Sequence, residues 1–497
     1  MPASSRPIAG PLIAAVVATV VVNLPGIAKP SMWYDEAASV SAVSRPLRDI
    51  WQMIQSVDVV HGLYYMLLHG WVTVCGSSVF SMRTLSLIGL CIATAGLSVY
   101  ARRLDKGVIF WVAAVSVMAI LPRVSREGTE IRADVFALAA MVWAFVVLQS
   151  LIGSYANDGA RPSSIAARWA LYGLLVVASG YFALLSLLCV PAQILLVILQ
   201  KPMRRQLLIG QVISLAVAFV ILLPVLILGW QQRQLISWIS YTPVRLLGSV
   251  GISLLFTGQS PLPLVVWAAV GLAAAIFYVV AVIGTVAGLR KSPAVTWANL
   301  MWFVFPTLLL TGLTLMNWPI YQQRYLLPMT PAACLLFAAG LAWLYSRHRV
   351  ISWVGLVLVI ACLVPGQVTL RQQDSRAGDD YEALATLAVG ADQVVYTRTD
   401  SRGIGFAYPA LVTGAADVLL DKTPIQASNL WGTNLEADAW TPSGTVVVYA
   451  RAMSQDGMAV KDMPDAFAAR LASANCVFTG AFVDTLRFQG AVFNCPG

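Results

Sequence analysis

Acidic side chains are scarce in the first 367 residues, so their positions are informative. Nine occur there. Seven of them, Asp35, Glu36, Asp49, Asp58, Glu127, Glu130 and Asp134, fall in two stretches that separate apolar runs. Charge near membrane depth is costly and usually marks function. The first stretch opens MWYDEAAS. A carboxylate at Asp35 or Glu36 could act as general base on a hydroxyl or bind a metal. Asp35 could equally cap a helix starting at Glu36. Asp58 precedes His61 by three residues, a pair open to metal binding, proton transfer or a structural role. The second stretch gathers Arg123, Arg126, Glu127, Glu130, Arg132 and Asp134. A helix beginning near Thr129 would set Glu130 and Asp134 on one face at i,i+4. These residues fit either a self-neutralising salt-bridge cluster or a carboxylate site beside phosphate-binding arginines. A later stretch, MNWPIYQQRYLLP, holds Arg324 between Tyr321 and Tyr325. Its planar fork suits phosphate oxygens, and snorkelling to a membrane interface is the alternative. Trp230, Arg233, Trp238 and Arg245 could grip a lipid head group or form part of an aromatic belt.

These residues need elements to carry them. The chain has 497 residues, 59% hydrophobic and 11% charged, with mean hydropathy +0.76. Soluble chains carry about 25% charged residues. A wholly soluble enzyme is therefore excluded, and so is disorder. Eleven apolar runs approach the roughly 20 residues that a membrane helix needs. They begin with Gly10–Ile27 and Ser81–Ala101 and end with Leu326–Leu344 and Ile351–Val364. Two further segments, Pro46–Val57 and Gly62–Cys75, read as helices lying on the outer surface.

Basic residues mark every second gap: Arg6; Arg102, Arg103 and Lys106; Arg161 and Arg168; Lys201, Arg204 and Arg205; Arg290 and Lys291; Arg347 and Arg349. The positive-inside rule makes these gaps cytoplasmic, with Asp105 and Asp158 among them. The N-terminus is then cytoplasmic, and both acidic loops and the tail face outward. The plasma (inner) membrane is the expected location. Nucleic-acid binding is a poor reading of the net charge of +9, because the basic residues sit in short clusters between apolar runs.

From Val368 onward the sequence changes character, with nine Lys and Arg against fourteen Asp and Glu. Strand-like runs at Gln393–Thr397 and Thr445–Ala450 and a helix-like run at Pro464–Ser473 predict a small α/β domain. Cys476 and Cys495 flank two further strand-like runs and could pair outside the membrane. The expected architecture is an all-α polytopic membrane protein of about eleven spans plus outer juxtamembrane helices. Residues 1–367 form the catalytic transmembrane part, and residues 368–497 a small extracytoplasmic α/β domain.

The sequence resembles the GT-C glycosyltransferases. The resemblance rests on Asp35-Glu36 after the first span, a His-x-Leu-Tyr-Tyr helix from His61, an arginine-rich second loop ending in Asp134, and Arg324-Tyr325-Leu326-x-Pro328. The resemblance is strongest to the branch of protein mannosyltransferases, aminoarabinose lipid A transferases and actinobacterial cell-wall mannosyltransferases, and WYDEAAS, VDVVHGLYYMLLHGW and QQRYLLP are similar to the last of these groups. The resemblance implies a polyprenyl-phosphate sugar donor and inverting transfer to a hydroxyl of a cell-envelope glycan, lipid or protein. It implies Asp35 as general base with Glu36 in support, and Asp134 near the donor phosphate or a metal. Arg324, with Tyr325 beside it, would hold the phosphate, and His61 would line the site. Asp58, Arg126, Glu130 and Arg132 complete the expected substrate-binding set. Relatives often carry a His before Tyr-Phe-Ala-Leu, which in some of them binds a metal. Here that position is Gly180, so a divalent metal is left open and no other cofactor is expected. Neither a P-loop nor a dinucleotide fingerprint is present. The rival reading is a transporter or flippase for a lipid-linked or sugar substrate. It would predict polar residues in mid-span and repeated halves, and the sequence is read as having neither, its charges lying at one rim.

Overall fold

The structure, a computed structural model, describes residues 9–156, 161–236, 238–258, 262–451 and 463–496. Arg6 and Asp158 lie outside the described residues. The chain divides into two compact units. One comprises the chain through Ile27 together with Arg83–Gly258 and Leu262–Leu370. The other contains Ala28–Met82 and the chain from Arg371 onward. A division by chain order at 367/368 assigns Ala28–Met82 to the membrane part, whereas compactness groups it with the C-terminal residues.

Each of the eleven apolar runs is built mainly of helix, nearly all of it in the first unit. Among the described residues eight helices are long and apolar enough to cross a membrane, or nine if a bent pair counts as one span. Ala9–Asn23 and Leu184–Ile198 are shorter. The runs that look short in sequence extend into their flanks: Trp169–Ser179 lies within the helix Pro162–Phe182, and Ile351–Val364 within Arg349–Thr369. The bent pair is Val108–Ile120 and Pro122–Gly128, turned by 59°. Pro122 lacks an N–H, which favours a break at this point. Such a break frees carbonyls that lipid cannot satisfy. Side-chain amides do so instead: Gln367 donates to the Ile120 carbonyl at 2.7 Å, and Asn23 to that of Ala119 at 3.1 Å.

Helices at the edge of this unit present apolar side chains outward. On Arg204–Gln231, Val212 is 61% exposed and Val220 62%. That surface is suited to lipid, which solvates such side chains as well as a protein core does. Inside, Phe145 stacks on Trp302 at 3.8 Å and Phe277 on Phe337 at 4.7 Å. Leu264–Lys291 and Thr330–Tyr345 approach so closely that a Cβ on Gly284 would meet the Leu336 carbonyl. One on Gly340 would meet the Val280 carbonyl. Small residues permit this backbone contact between membrane helices.

The second unit is built on a five-stranded sheet of order β2-β1-β3-β5-β4. The strands are β1 (Gln393–Tyr396), β2 (Ala416–Asp417), β3 (Gly444–Arg451), β4 (Val477–Asp484) and β5 (Phe488–Cys495). β1 pairs in parallel with β2 and β3, while β5 runs antiparallel to β3 and β4. The predicted strands and the helix, observed as Asp465–Ser473, are all present. Val395, Trp440, Val446, Val448, Phe467 and Phe493 form the core. Cys476 and Cys495 are bonded, closing the open end of the β4–β5 hairpin.

Ala28–Met82 supplies the helices Tyr34–Val43, Leu47–Ser56 and Gly62–Cys75 to this unit. Leu47–Ser56 is amphipathic as expected: Ile50, Met53 and Ile54 are buried, while Trp51 is exposed. Hydrogen bonds tie the segment to the C-terminal residues. Ser31 N–H donates to the Gln373 carbonyl at 2.9 Å, Met32 N–H to the Tyr408 hydroxyl at 2.9 Å, and the Ser41 hydroxyl to the Leu430 carbonyl at 2.5 Å.

Candidate functional site

The expected residues fall into two groups, one in each unit. In the second unit, the Tyr34–Val43 helix places Trp33 at the N-cap without a side-chain cap bond. Asp35 is therefore not the cap but stands in the first turn, beside Glu36. A carboxylate there is favoured by the helix dipole. Asp35 is half-buried and Glu36 fully buried. The adjacent Tyr34 ring lies 5.5 Å from Trp431 and 3.9 Å beneath the Arg487 guanidinium. The Tyr34 phenol pKa is raised, first by burial and then by the Asp400 carboxylate. Farther along, Asp58 adopts a left-handed backbone (φ 58°), a conformation that non-glycine residues adopt rarely. Its carboxylate accepts from the Tyr65 hydroxyl at 2.9 Å. His61 begins the Gly62–Cys75 helix, its ring 6.1 Å from that of Tyr65.

In the first unit the helix after the arginine-rich stretch starts at Asp134, not near Thr129. Residues 129–133 form turns, so Glu130 and Asp134 do not share a helix face. The i,i+4 spacing instead operates one turn earlier, on Pro122–Gly128 and its exit. Arg123 pairs with Glu127 at 3.1 Å and Arg126 with Glu130 at 3.1 Å, all four side chains buried. Asp134 has Arg324 and Arg132 as cationic neighbours. Arg324 lies in the 3-10 turn Gln323–Met329, which packs on the Asp134–Ala156 helix, and its guanidinium sits 5.5 Å from the Tyr325 ring.

Arg123, Arg126, Arg132 and Arg324 are thus buried in one neighbourhood with Glu127, Glu130 and Asp134. Guanidinium groups gathered in this way can bind an anionic group and stabilise charge that develops on it. The salt-bridge reading of this stretch is realised in the pairs Arg123–Glu127 and Arg126–Glu130.

Sequence reasoning passed over several neighbours. Arg123 also donates to the Ser253 carbonyl at 3.2 Å, from the π-helical turn Ser249–Ser253. Gln323 donates to the Ser249 hydroxyl at 2.6 Å, and the Tyr321 and Ser249 hydroxyls lie 3.1 Å apart. Tyr321 is already marked beside Arg324 in the sequence, and Gln323, immediately before Arg324, was findable there. Ser249 and Ser253 carry no local signal. Arg233 lies over the Trp230 ring at 4.6 Å, both exposed, as an interfacial pair would be.

At Gly180 a Cβ would come within 2.8 Å of Leu222, so packing leaves an imidazole no room unless that side chain moves. Among the described residues no group of three or more His, Cys, Asp or Glu side chains is arranged to hold a metal ion.

No family model matches the chain, and neither does any curated protein. Solved structures do. ArnT from Cupriavidus metallidurans in the apo state aligns at TM-score 0.58 and 10% identity, over 97% of this chain and 98% of that one. The same protein bound to undecaprenyl phosphate aligns at 0.54 and 12%, over 98% and 97%. The Archaeoglobus fulgidus oligosaccharyltransferase tethered to an acceptor peptide aligns at 0.52 and 12%, over 89% and 69%. The fold is GT-C-like. With its apolar helices, this makes the chain a multi-pass membrane protein.

Proposed function

We propose that this protein is an integral membrane glycosyltransferase. It moves a sugar, with mannose the first choice, from a polyprenyl-phosphate donor to a hydroxyl of a cell-envelope glycan, lipid or protein. The observation that carries the reading is the group of buried arginines around Asp134: Arg132 and Arg324 are its cationic neighbours, and Arg126 is paired with Glu130 beside them. A donor whose leaving group is a lipid phosphate needs charge stabilisation where the C–O bond breaks, and guanidinium groups supply it without a general acid. The GT-C-like fold supports the reading, since one solved neighbour, ArnT, binds undecaprenyl phosphate.

In this mechanism Arg324, with Arg126 and Arg132, holds the donor phosphate. Asp134 and Glu130 fix those guanidinium groups, and Tyr325 backs Arg324. Asp35 removes the acceptor proton as its oxygen attacks the anomeric carbon from the face opposite the phosphate, inverting the centre. Glu36 supports Asp35, while Asp58 and His61 line the acceptor side. No step is assigned to a metal. The acidic C-terminal unit is extracytoplasmic in this reading, a placement favoured by its disulfide.

The test is transfer by the purified, lipid-reconstituted protein, offered a panel of polyprenyl-phosphate sugars. Asp35→Asn is expected to lower turnover by about 10²–10⁴-fold, the range for a general base, with folding intact. Near-normal turnover by that variant rejects the base assignment. Linkage analysis of surface glycans from cells with and without the gene identifies the sugar and the acceptor.

A further inference from the structure

The residue before the candidate base, Tyr34, is held by side chains that stand almost four hundred residues or more later in the chain. Arg487 places its guanidinium 3.9 Å from the Tyr34 ring centroid, close enough for cation–ring attraction. Trp431 approaches the same ring at 5.5 Å, and Phe406 approaches Trp431 at 6.3 Å. One turn along the helix, Ala37 and Trp431 crowd Gly403, where a Cβ would meet both at 3.3–3.4 Å.

Arg487 is itself held firmly. It ends the short turn between β4 and β5. Thr485 N–H donates to the Phe488 carbonyl at 3.0 Å within this turn, and Leu486 N–H donates to the Gly378 carbonyl at 3.2 Å. The Cys476–Cys495 bond closes the far end of the same hairpin. Arg487 therefore projects from a rigid support onto the first turn of the Tyr34–Val43 helix, the turn that carries Asp35 and Glu36.

We propose that Arg487 is a positioning residue: through Tyr34 it fixes the helix N-terminus that presents Asp35, which gives the C-terminal unit a part in catalysis. The inference rests on the reading of Asp35 as the base. Arg487 touches no substrate in this scheme. Its contribution is orientation, and small misplacements of a reacting group are costly.

Two measurements on the full-length reconstituted protein test this. The first is amide hydrogen exchange, which needs no substrate. Arg487→Gln is expected to speed exchange at residues 34–38 by about fivefold, the size of one half-buried cation–ring contact. Exchange in β3 should stay unchanged, showing that the sheet remains folded, and Arg487→Lys should restore the protection. The second is transfer kinetics. Arg487→Gln is expected to lower kcat by about tenfold to a hundredfold with donor and acceptor KM nearly unchanged, and Arg487→Lys to recover most of it.

Unchanged exchange at 34–38 in Arg487→Gln overturns the proposal whatever the activity. So does a loss of activity that tracks faster exchange in β3. Faster local exchange combined with normal turnover by Asp35→Asn instead removes the base assignment and leaves the anchoring contact standing.

Discussion

The two units treat their functional charges in opposite ways. In the membrane-spanning unit, Arg123, Arg126, Glu127 and Glu130 are shut away, and their two pairs form between residues four apart in sequence. Asp134 and Arg324 join them from other helices. In the C-terminal unit, Asp35 remains half-exposed, and its neighbour Tyr34 meets Trp431 and Arg487 at long sequence separation. Buried charges must be matched nearly one for one, because an unpaired ion in low dielectric is heavily penalised. A general base must instead reach an incoming hydroxyl, so its surroundings can hold the backbone but must leave the carboxylate accessible. The arrangement in the first unit suits holding a charged group, and that in the second suits reaching for a neutral one.

This contrast can be broken at four points, taken from the largest expected effect to the smallest. Glu130→Gln removes the carboxylate paired with the buried Arg126. We expect a loss of roughly 3–5 kcal/mol, seen as a collapse of folded yield and of thermal stability in detergent. A mild loss would mean that the arginine has a second buried counter-charge. Cys476→Ser opens the β4–β5 hairpin and should cost about 2–4 kcal/mol. The damage should be confined to the second unit, so that limited proteolysis attacks the chain beyond Arg371 while the helical unit survives.

Arg324→Ala is expected to lower donor use by about 10²-fold, near 2.7 kcal/mol, at an unchanged acceptor KM. An acceptor effect in its place would move Arg324 out of the phosphate site. Arg45, whose guanidinium donates to the Asn429 carbonyl at 3.0 Å and to that of Ser41 at 3.1 Å, anchors the other end of the Asp35 helix. Arg45→Ala should cost about 1–2 kcal/mol, read as faster amide exchange at residues 41–45 with β3 unaffected.

Much of the fold was legible in the sequence because apolar run length sets membrane helices almost without regard to neighbours. Each of the eleven runs is mainly helical, and the tail strands lie where their β-branched residues predicted. Span counting was less secure. Pro122 bends one run sharply, and the apolar run Phe182–Gln200 begins with a 3-10 turn rather than a straight helix. The candidate site is proposed from residue type, and its local geometry was not legible in the sequence. Asp35 and Asp134 stand out because carboxylates are rare among apolar runs. Yet Asp35 is not a cap, and the helix near Thr129 starts five residues later, because the carboxylates at 127 and 130 are drawn back to Arg123 and Arg126. Gly180 reads in sequence as a missing ligand, and the fold shows Leu222 packed against it.

By itself the sequence determined that this is a many-helix membrane protein with a small α/β tail, and which few charged residues could do chemistry. Those properties follow from local hydrophobicity and from the scarcity of ionisable groups. Only the tertiary structure decided that Ala28–Met82 belongs with the residues beyond Arg371, and that Arg487 meets Tyr34. It also decided which arginine neutralises which carboxylate. Contacts between residues hundreds of positions apart depend on how faces pack once the chain has folded, and no local pattern encodes them.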